Sequence, residues 1–435
     1  MKIPFQRGNQ NPIRRRAQKC KTTALRLKYS VYYASFEKQQ GSRVWMDGRE
    51  MLMLSSNDYL GLTHHPRVVE AGRRALETWG SSSTGARLAN GSRSYHEALE
   101  EKLADFLGAA GYATGLVGKW HNGAFDDRYH PLNRGFGEFL GFRGGWQDYW
   151  EWTLERDRAP FAADGRYLTD VFTSGAIDYI ERHRNEPFFL HLAYNAPHFP
   201  FQAPEAEIDQ FLKPGVSRRV ATIYAMIQRV DLGIGRILQT LEERGLADNT
   251  IVMFMSDNGP QLDGEGEEST VRYNAGLRGA KQTVWEGGIR VPFIMRWPDG
   301  IEGRTSLDSL VHFTDWLPTL LDAAGVRYDP ESFDGRSALP VLQGSTRAAE
   351  STRFWQWTRY EPLATSNAAM RDGDWKIVNH RKGWELYDMR KHRNESEDLA
   401  TRFPERLASM VAAFDTWFAS LPKRATPTSK KKKKK

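Results

Sequence analysis

Gly111-Tyr-Ala-Thr-Gly-Leu-Val-Gly118-Lys119-Trp120-His121-Asn-Gly123 decides how this chain reads. Residues 113–117 form a short apolar run suited to a buried strand, and Gly118 closes it. A lysine and a histidine follow, two residues apart. On an extended backbone, alternation sets Lys119 and His121 on one face and Trp120 on the other. A cation beside an imidazole at a strand end suits an anionic substrate such as a sulfate or phosphate ester. Taken alone, the stretch is more simply a strand-end turn with a surface lysine and a structural histidine. Matching pieces downstream decide otherwise, and nothing upstream matches.

From residue 109 onward the pattern is that of a doubly wound, mostly parallel α/β protein. Apolar runs at 188–194, 250–256 and 291–297 read as further strands. Helical spacing marks 167–184, 218–244 and 315–324. In such folds functional residues gather in loops at the carboxyl ends of the strands. The candidates fall there. After the second strand comes Asn195-Ala-Pro-His198-Phe-Pro, and after the third Asp257-Asn258-Gly259, a carboxylate and an amide suited to a hard cation such as Ca²⁺. Next is Arg278-Gly-Ala-Lys281-Gln-Thr-Val-Trp-Glu286-Gly-Gly-Ile-Arg290, with a second lysine in a glycine-rich setting. Each is ordinary by itself. Four of them in strand-end loops, in this order, are not.

That order resembles the sulfatases of the alkaline-phosphatase-like superfamily, over about 109–424. His130-Pro-Leu-Asn-Arg-Gly-Phe, Tyr224-Ala-Met-Ile-Gln-Arg-Val-Asp, Met370-Arg-Asp-Gly-Asp-Trp-Lys-Ile-Val and Glu385-Leu-Tyr-Asp-Met extend the likeness. It implies that Asp257 and Asn258 bind Ca²⁺, that Lys119 and Lys281 hold the sulfate oxygens, that His121 assists on the nucleophile side, and that His198 protonates the leaving alcohol. The partner implied is a sulfate-ester small molecule or a sulfated carbohydrate. The family also opens with a strand ending in paired aspartates, then Cys-x-Pro-x-Arg, whose cysteine becomes the formylglycine nucleophile. This sequence shows neither. Its single cysteine is in Cys20-Lys-Thr-Thr-Ala, Ser83-Thr-Gly-Ala-Arg87 lacks the proline, and Asp126-Asp127 comes too late and is expected at the surface. The expectation is therefore a sulfuric ester hydrolase fold with an incomplete metal site and impaired catalysis. A non-catalytic sulfate-ester binder and a phosphodiesterase or phosphatase relative are the alternatives.

Residues 25–108 read differently. Val44 to Leu54 forms a hairpin pattern around Asp47-Gly48, 66–78 and 94–107 are amphipathic helices, and 80–91 is a small-residue loop. Asp47-Gly-Arg-Glu, Ser56-Asn-Asp-Tyr-Leu-Gly-Leu, Ser83-Thr-Gly-Ala-Arg-Leu-Ala-Asn-Gly and His96-Glu-Ala-Leu-Glu resemble the opening of an α-oxoamine synthase, a PLP-dependent aminotransferase-like fold. The Schiff-base lysine of that family does not follow, so no PLP is expected and the segment is expected to be loosely ordered.

The expected organisation is a basic arm at 1–30, the synthase-like fragment at 31–108, a sulfatase-like core lacking its first strand at 109–345, a small C-terminal α+β subdomain at 346–424, and a lysine-rich tail at 425–435. Net charge is +7, but residues 1–30 hold nine Lys/Arg and no acid, and 430–435 are six lysines. Subtracting these fifteen from +7 leaves 31–429 at about −8, which argues against a nucleic-acid enzyme. One cysteine gives no disulfide framework. No stretch is long enough to span a membrane and Arg14-Arg15-Arg16 precedes no apolar run, so a cytoplasmic location is expected, although the family is usually periplasmic, secreted or lysosomal.

Overall fold

A computed structural model describes residues 102–123, 126–303, 306–344, 352–358 and 362–421 in full, with the backbone of four further segments between 38 and 101. The basic arm, Cys20, the helix expected at 66–78, the Ser83 to Arg87 stretch and the lysine tail lie outside the described residues. The chain divides into two units, 1–84 and 85–435.

In the first unit, β1 (Lys38–Gln40), β2 (Arg43–Met46) and β3 (Arg49–Leu52) form an antiparallel meander. Met46 pairs with Arg49, the register that a two-residue connection imposes.

The second unit opens with α1 (Ser94–Ala109) and β4 (Ala113–Lys119). Next come β5 (Glu138–Phe142), β6 (Thr153–Arg156), β7 (Ala159–Ala162), α2 (Leu168–His183) and β8 (Phe188–Ala193). Then follow α3 (Glu205–Asp209), α4 (Arg218–Glu243), β9 (Val252–Met255), α5 (Glu286–Ile289) and β10 (Phe293–Arg296). The unit closes with α6 (Trp316–Ala323), α7 (Leu339–Leu342), β11 (Arg353–Gln356), β12 (Ser366–Asp372), β13 (Trp375–His380), β14 (Trp384–Asp388) and α8 (Pro404–Ser420).

One sheet has the order β7-β6-β5-β4-β8, and β4 runs parallel to both of its neighbours. The remaining ladders of this sheet are antiparallel, as is β9 with β10. The mostly parallel sheet expected from sequence is thus corrected to a mixed one. The physical reason is connection length: two residues join β6 to β7, too few for the crossover that parallel strands need.

Helices cover both faces. Ile180 of α2 and Leu241 of α4 form one apolar cluster with Phe188 and Leu190 of β8 and Val252 of β9. On the other face Leu103 and Leu107 of α1 pack with Leu317 and Leu321 of α6 and with Phe189 of β8, while Phe293 of β10 stacks on Trp316 with ring centroids 4.1 Å apart. The β7-to-β8 sheet and the β9–β10 pair therefore lie between the same two helix layers. Among the described residues no ladder joins β8 to β9. The helix expected at 94–107 forms as α1, and it is part of this core: Ala104 packs with Leu116, Trp120, Phe136 and Phe139.

β11 to β14 form a separate antiparallel sheet in sequential order. α8 lays Met410 and Phe414 on it, and Leu399, after β14, joins the same cluster. Leu399→Ala removes a buried side chain, so chemical denaturation should show a loss of about 2–3 kcal/mol. No helix among the described residues is long and apolar enough to cross a membrane.

Candidate active site

β4 is buried along its centre and half-buried at each end, so its last residue, Lys119, emerges at the sheet's carboxyl edge. Trp120 turns inward: it is buried, meets Phe136 edge-on, and donates from Nε1 to the Tyr129 carbonyl at 2.6 Å. The strand ends before His121, whose φ of 56° is left-handed. His121 therefore leaves the strand through a turn, not by the simple alternation that the sequence suggested. An added Cβ on Gly145 would lie 2.6 Å from His121 Nε2, so the imidazole packs directly on that glycine's backbone.

His198 follows β8, the parallel neighbour of β4. Its backbone N–H donates to Asn195 O at 2.8 Å, and its carbonyl accepts from Tyr149 Oη at 3.0 Å. His198 Nδ1 lies 2.8 Å from Phe199 O; a carbonyl only accepts, so Nδ1 carries the proton and Nε2 is the nitrogen left for proton transfer. Burial pushes this imidazole below the ordinary histidine range. Lys119 and Lys281 push it the same way, against Asp257 and the Phe199 bond. Three charged groups are therefore within electrostatic reach of one ring: Lys119 at the end of β4, and Asp257 and Lys281, both in the connection between β9 and α5. Asn195 is buried beside His198, and its Oδ1 has no partner among the described residues. Exposed Trp146 and Phe199, with ring centroids 6.4 Å apart, border the same loops.

The two downstream loops are tied together. Gly259 N–H donates to Gly288 O at 2.9 Å, and Lys281 N–H donates to Pro260 O at 2.8 Å. A Cβ on Gly259 would sit 1.8 Å from Gly287 O, so only glycine lets the backbones approach this closely. Asp257, Asn258 and Lys281 are also among the walls of a cavity of about 1590 Å³, which continues along β10 and residues 306–313 towards the C-terminal sheet. Asp126 and Asp127 lie at the surface, paired with Arg128 and Arg158 respectively.

Asp257 and Asn258 offer oxygen donors for a hard cation, but Ca²⁺ takes six to eight. Among the described residues no group of three or more His, Cys, Asp or Glu gathers that could hold a metal ion. These residues do not make up a Ca²⁺ site by themselves.

The loops that carry the expected site residues are held by residues to which the sequence assigned no role. Val284 N–H donates to Asn367 Oδ1 at 3.0 Å, and Asn367 Nδ2 donates to Gln282 O at 2.8 Å. Arg278 lies 3.6 Å over the Trp285 ring and donates to Tyr387 Oη at 2.9 Å. The one visible hint was a lysine, Lys376, amid the apolar residues of Trp375-Lys-Ile-Val.

Comparison with known proteins places these features in context. The family model described as sulfatase matches residues 80–326, and the one described as N-sulphoglucosamine sulphohydrolase, C-terminal, matches 279–412. The first match begins inside the stretch that resembled a synthase. An uncharacterized sulfatase of Escherichia coli, YdeN, is 31% identical over 69% of this chain and 56% of its own length. Human N-acetylgalactosamine-6-sulfatase is 31% identical over 60% of this chain and 55% of its own. The chain thus spans about half the length of these curated relatives. The crystal structure of Ps i-CgsB in complex with k-i-k-neocarrahexaose superposes with a TM-score of 0.65 at 27% identity, covering 72% of this chain and 73% of that one. By the extent of the family match and the agreement of fold, this chain belongs to the sulfatase family.

Proposed function

We propose that Lys119, His121, His198, Lys281 and Asp257 form a sulfate-ester site whose reaction class is hydrolysis to an alcohol and sulfate, and that this chain holds the ester without turning it over. The observation that carries the reading is that two lysines and a carboxylate, from the end of β4 and from the β9–α5 connection, lie within electrostatic reach of one imidazole whose Nδ1 is bound to Phe199 O. Lys119 and Lys281 neutralise sulfate oxygens. His198, with its tautomer fixed by Phe199, presents Nε2 to the ester oxygen. His121 stands on the nucleophile side. Asp257 and Asn258 would supply two of the oxygen ligands to a hard cation.

The expectation of no turnover rests on Cys20, which lies in no Cys-x-Pro-x-Arg context. By the family resemblance the nucleophile is a formylglycine made from the cysteine of that motif, and neither the lysines nor the histidines of this site are given that role. Trp146 and Phe199 favour an alcohol that is itself a ring, sugar or aryl, since each offers an apolar face beside the anion.

Titration calorimetry with p-nitrophenyl sulfate, followed by absorbance of released p-nitrophenol, tests this. Binding without release supports the reading. Release shows that a nucleophile is present, and no binding removes the site assignment altogether.

His198 gives a pH signature. An anion beside a depressed imidazole raises its pKa, so binding takes up a proton and affinity rises as pH falls. The increase should level off once pH falls below the depressed value of the free imidazole, and vanish in His198→Asn. Calorimetry in buffers of different ionisation enthalpy measures the proton directly. A flat profile in the unsubstituted protein would mean that His198 does not face the anion.

A further inference from the structure

Lys376 lies on β13 with its side chain fully buried, where an unpaired ammonium is strongly disfavoured. Its Nζ donates to Glu286 Oε1 at 2.8 Å and to Glu395 Oε1 at 2.6 Å. The second oxygen of Glu286 accepts from Arg290 Nε at 2.6 Å. The second oxygen of Glu395 accepts the backbone N–H of Glu286 at 2.9 Å, at the first residue of α5. Two cations and two carboxylates therefore meet here, and two of the four bonds, Lys376 to Glu286 and the Glu286 N–H to Glu395, clamp α5 to the C-terminal part.

α5 ends the loop that carries Lys281. Gly287 N–H returns to Arg278 O at 2.6 Å, closing that loop on itself, and Gly288 O takes the Gly259 N–H. A shift of α5 would therefore move Lys281 and the Asp257-Asn258-Gly259 turn together. Sheet packing alone does not call for an ion cluster here, because Ile377 and Val378 are already fully buried and apolar replacements of buried ion pairs are often neutral for stability. What charge-assisted bonds add is direction, which apolar contact lacks.

We propose that Lys376 is a positioning residue for the anion site: through Glu286 and Glu395 it sets α5, and through α5 the places of Lys281, Asp257 and Asn258. This rests on the sulfate-ester reading of the site. Lys376 Nζ bonds to the two carboxylates of the clamp, and its role is through them.

The test is a double-mutant cycle read by calorimetry with p-nitrophenyl sulfate, joined to hydrogen exchange on the full chain. Lys376→Met should weaken binding by about tenfold or more, and the Lys376→Met/Lys281→Ala pair should bind no more weakly than Lys281→Ala alone. Lys376→Arg, which keeps the charge, should recover part of the loss. Exchange should rise in peptides covering 256–261 and 278–290 while 113–142 stays protected. Equal losses in both backgrounds, or unchanged affinity with unchanged exchange, overturn the proposal. If the unsubstituted protein does not bind the ester, the site reading fails, and the exchange pattern still decides whether Lys376 sets these loops. Should Lys376→Met not fold, Glu395→Gln, which keeps an acceptor for Lys376, takes its place in the cycle with the same expected outcomes.

Discussion

Replacing Lys119 and Lys281 together by alanine is expected to weaken p-nitrophenyl sulfate binding by about 1000-fold. Each ammonium offers a charge-assisted hydrogen bond to a sulfate oxygen, worth about 1.5–3 kcal/mol, and about 1.4 kcal/mol is one decade of affinity. The single variants should each lose about 10- to 100-fold on the same scale. The two losses should combine nearly fully, because the lysines come from separate elements, the end of β4 and the β9–α5 connection. Lys391 is the control: it is exposed beside Asp388, far along the chain in the C-terminal part, and Lys391→Ala should leave affinity unchanged. Affinity of the unsubstituted protein should also fall with added salt, since both charges act partly through solvent. A double variant that binds as well as the unsubstituted protein would mean that the anion sits elsewhere.

Gly118→Val should abolish folding of the second unit, with a loss beyond about 4 kcal/mol. Gly118 has φ of +121°, which a β-branched residue does not adopt. An added Cβ would sit 2.0 Å from the Ala193 carbonyl oxygen. On the other side Gly141, which pairs with Gly118, already brings its Cα so near that a Cβ there would lie 1.8 Å from Gly118 O. The β5, β4 and β8 backbones are thus in close contact in this row, and a side chain at Gly118 would part β4 from β8 one residue before Lys119. The readout is soluble yield and the thermal transition. Gly111→Ala is the comparison: its φ is +89° but nothing lies within 4 Å of the added Cβ, so only the milder backbone cost applies. If Gly118→Val folds with an unchanged transition, the β4–β8 contact is not as tight as described.

Local pattern made much of this legible. The apolar run at 113–117, the helix at 218–244 and the strands at 188–194, 250–256 and 291–297 appear within a few residues of their expected bounds, because each is set by side-chain periodicity over a handful of neighbours. Ser217 begins α4 by accepting the Val220 N–H at 3.1 Å, a cap written in the sequence itself. His121 was legible as a candidate but not in its geometry, since a left-handed turn at a histidine has no periodic signature.

By itself, then, the sequence determined the alternation of strands and helices and which residues follow each strand end. The tertiary structure alone decided that Lys119, Asp257 and Lys281 lie within electrostatic reach of one histidine, that β10 runs antiparallel to β9, and that the lysine loop is anchored from the C-terminal sheet. The physical reason is range. Lys376 meets Glu286 across 90 residues, and Glu395 meets the Glu286 backbone across 109. No periodicity spans such distances, so those bonds follow from which helices share a sheet face and which loops the packed layers bring together.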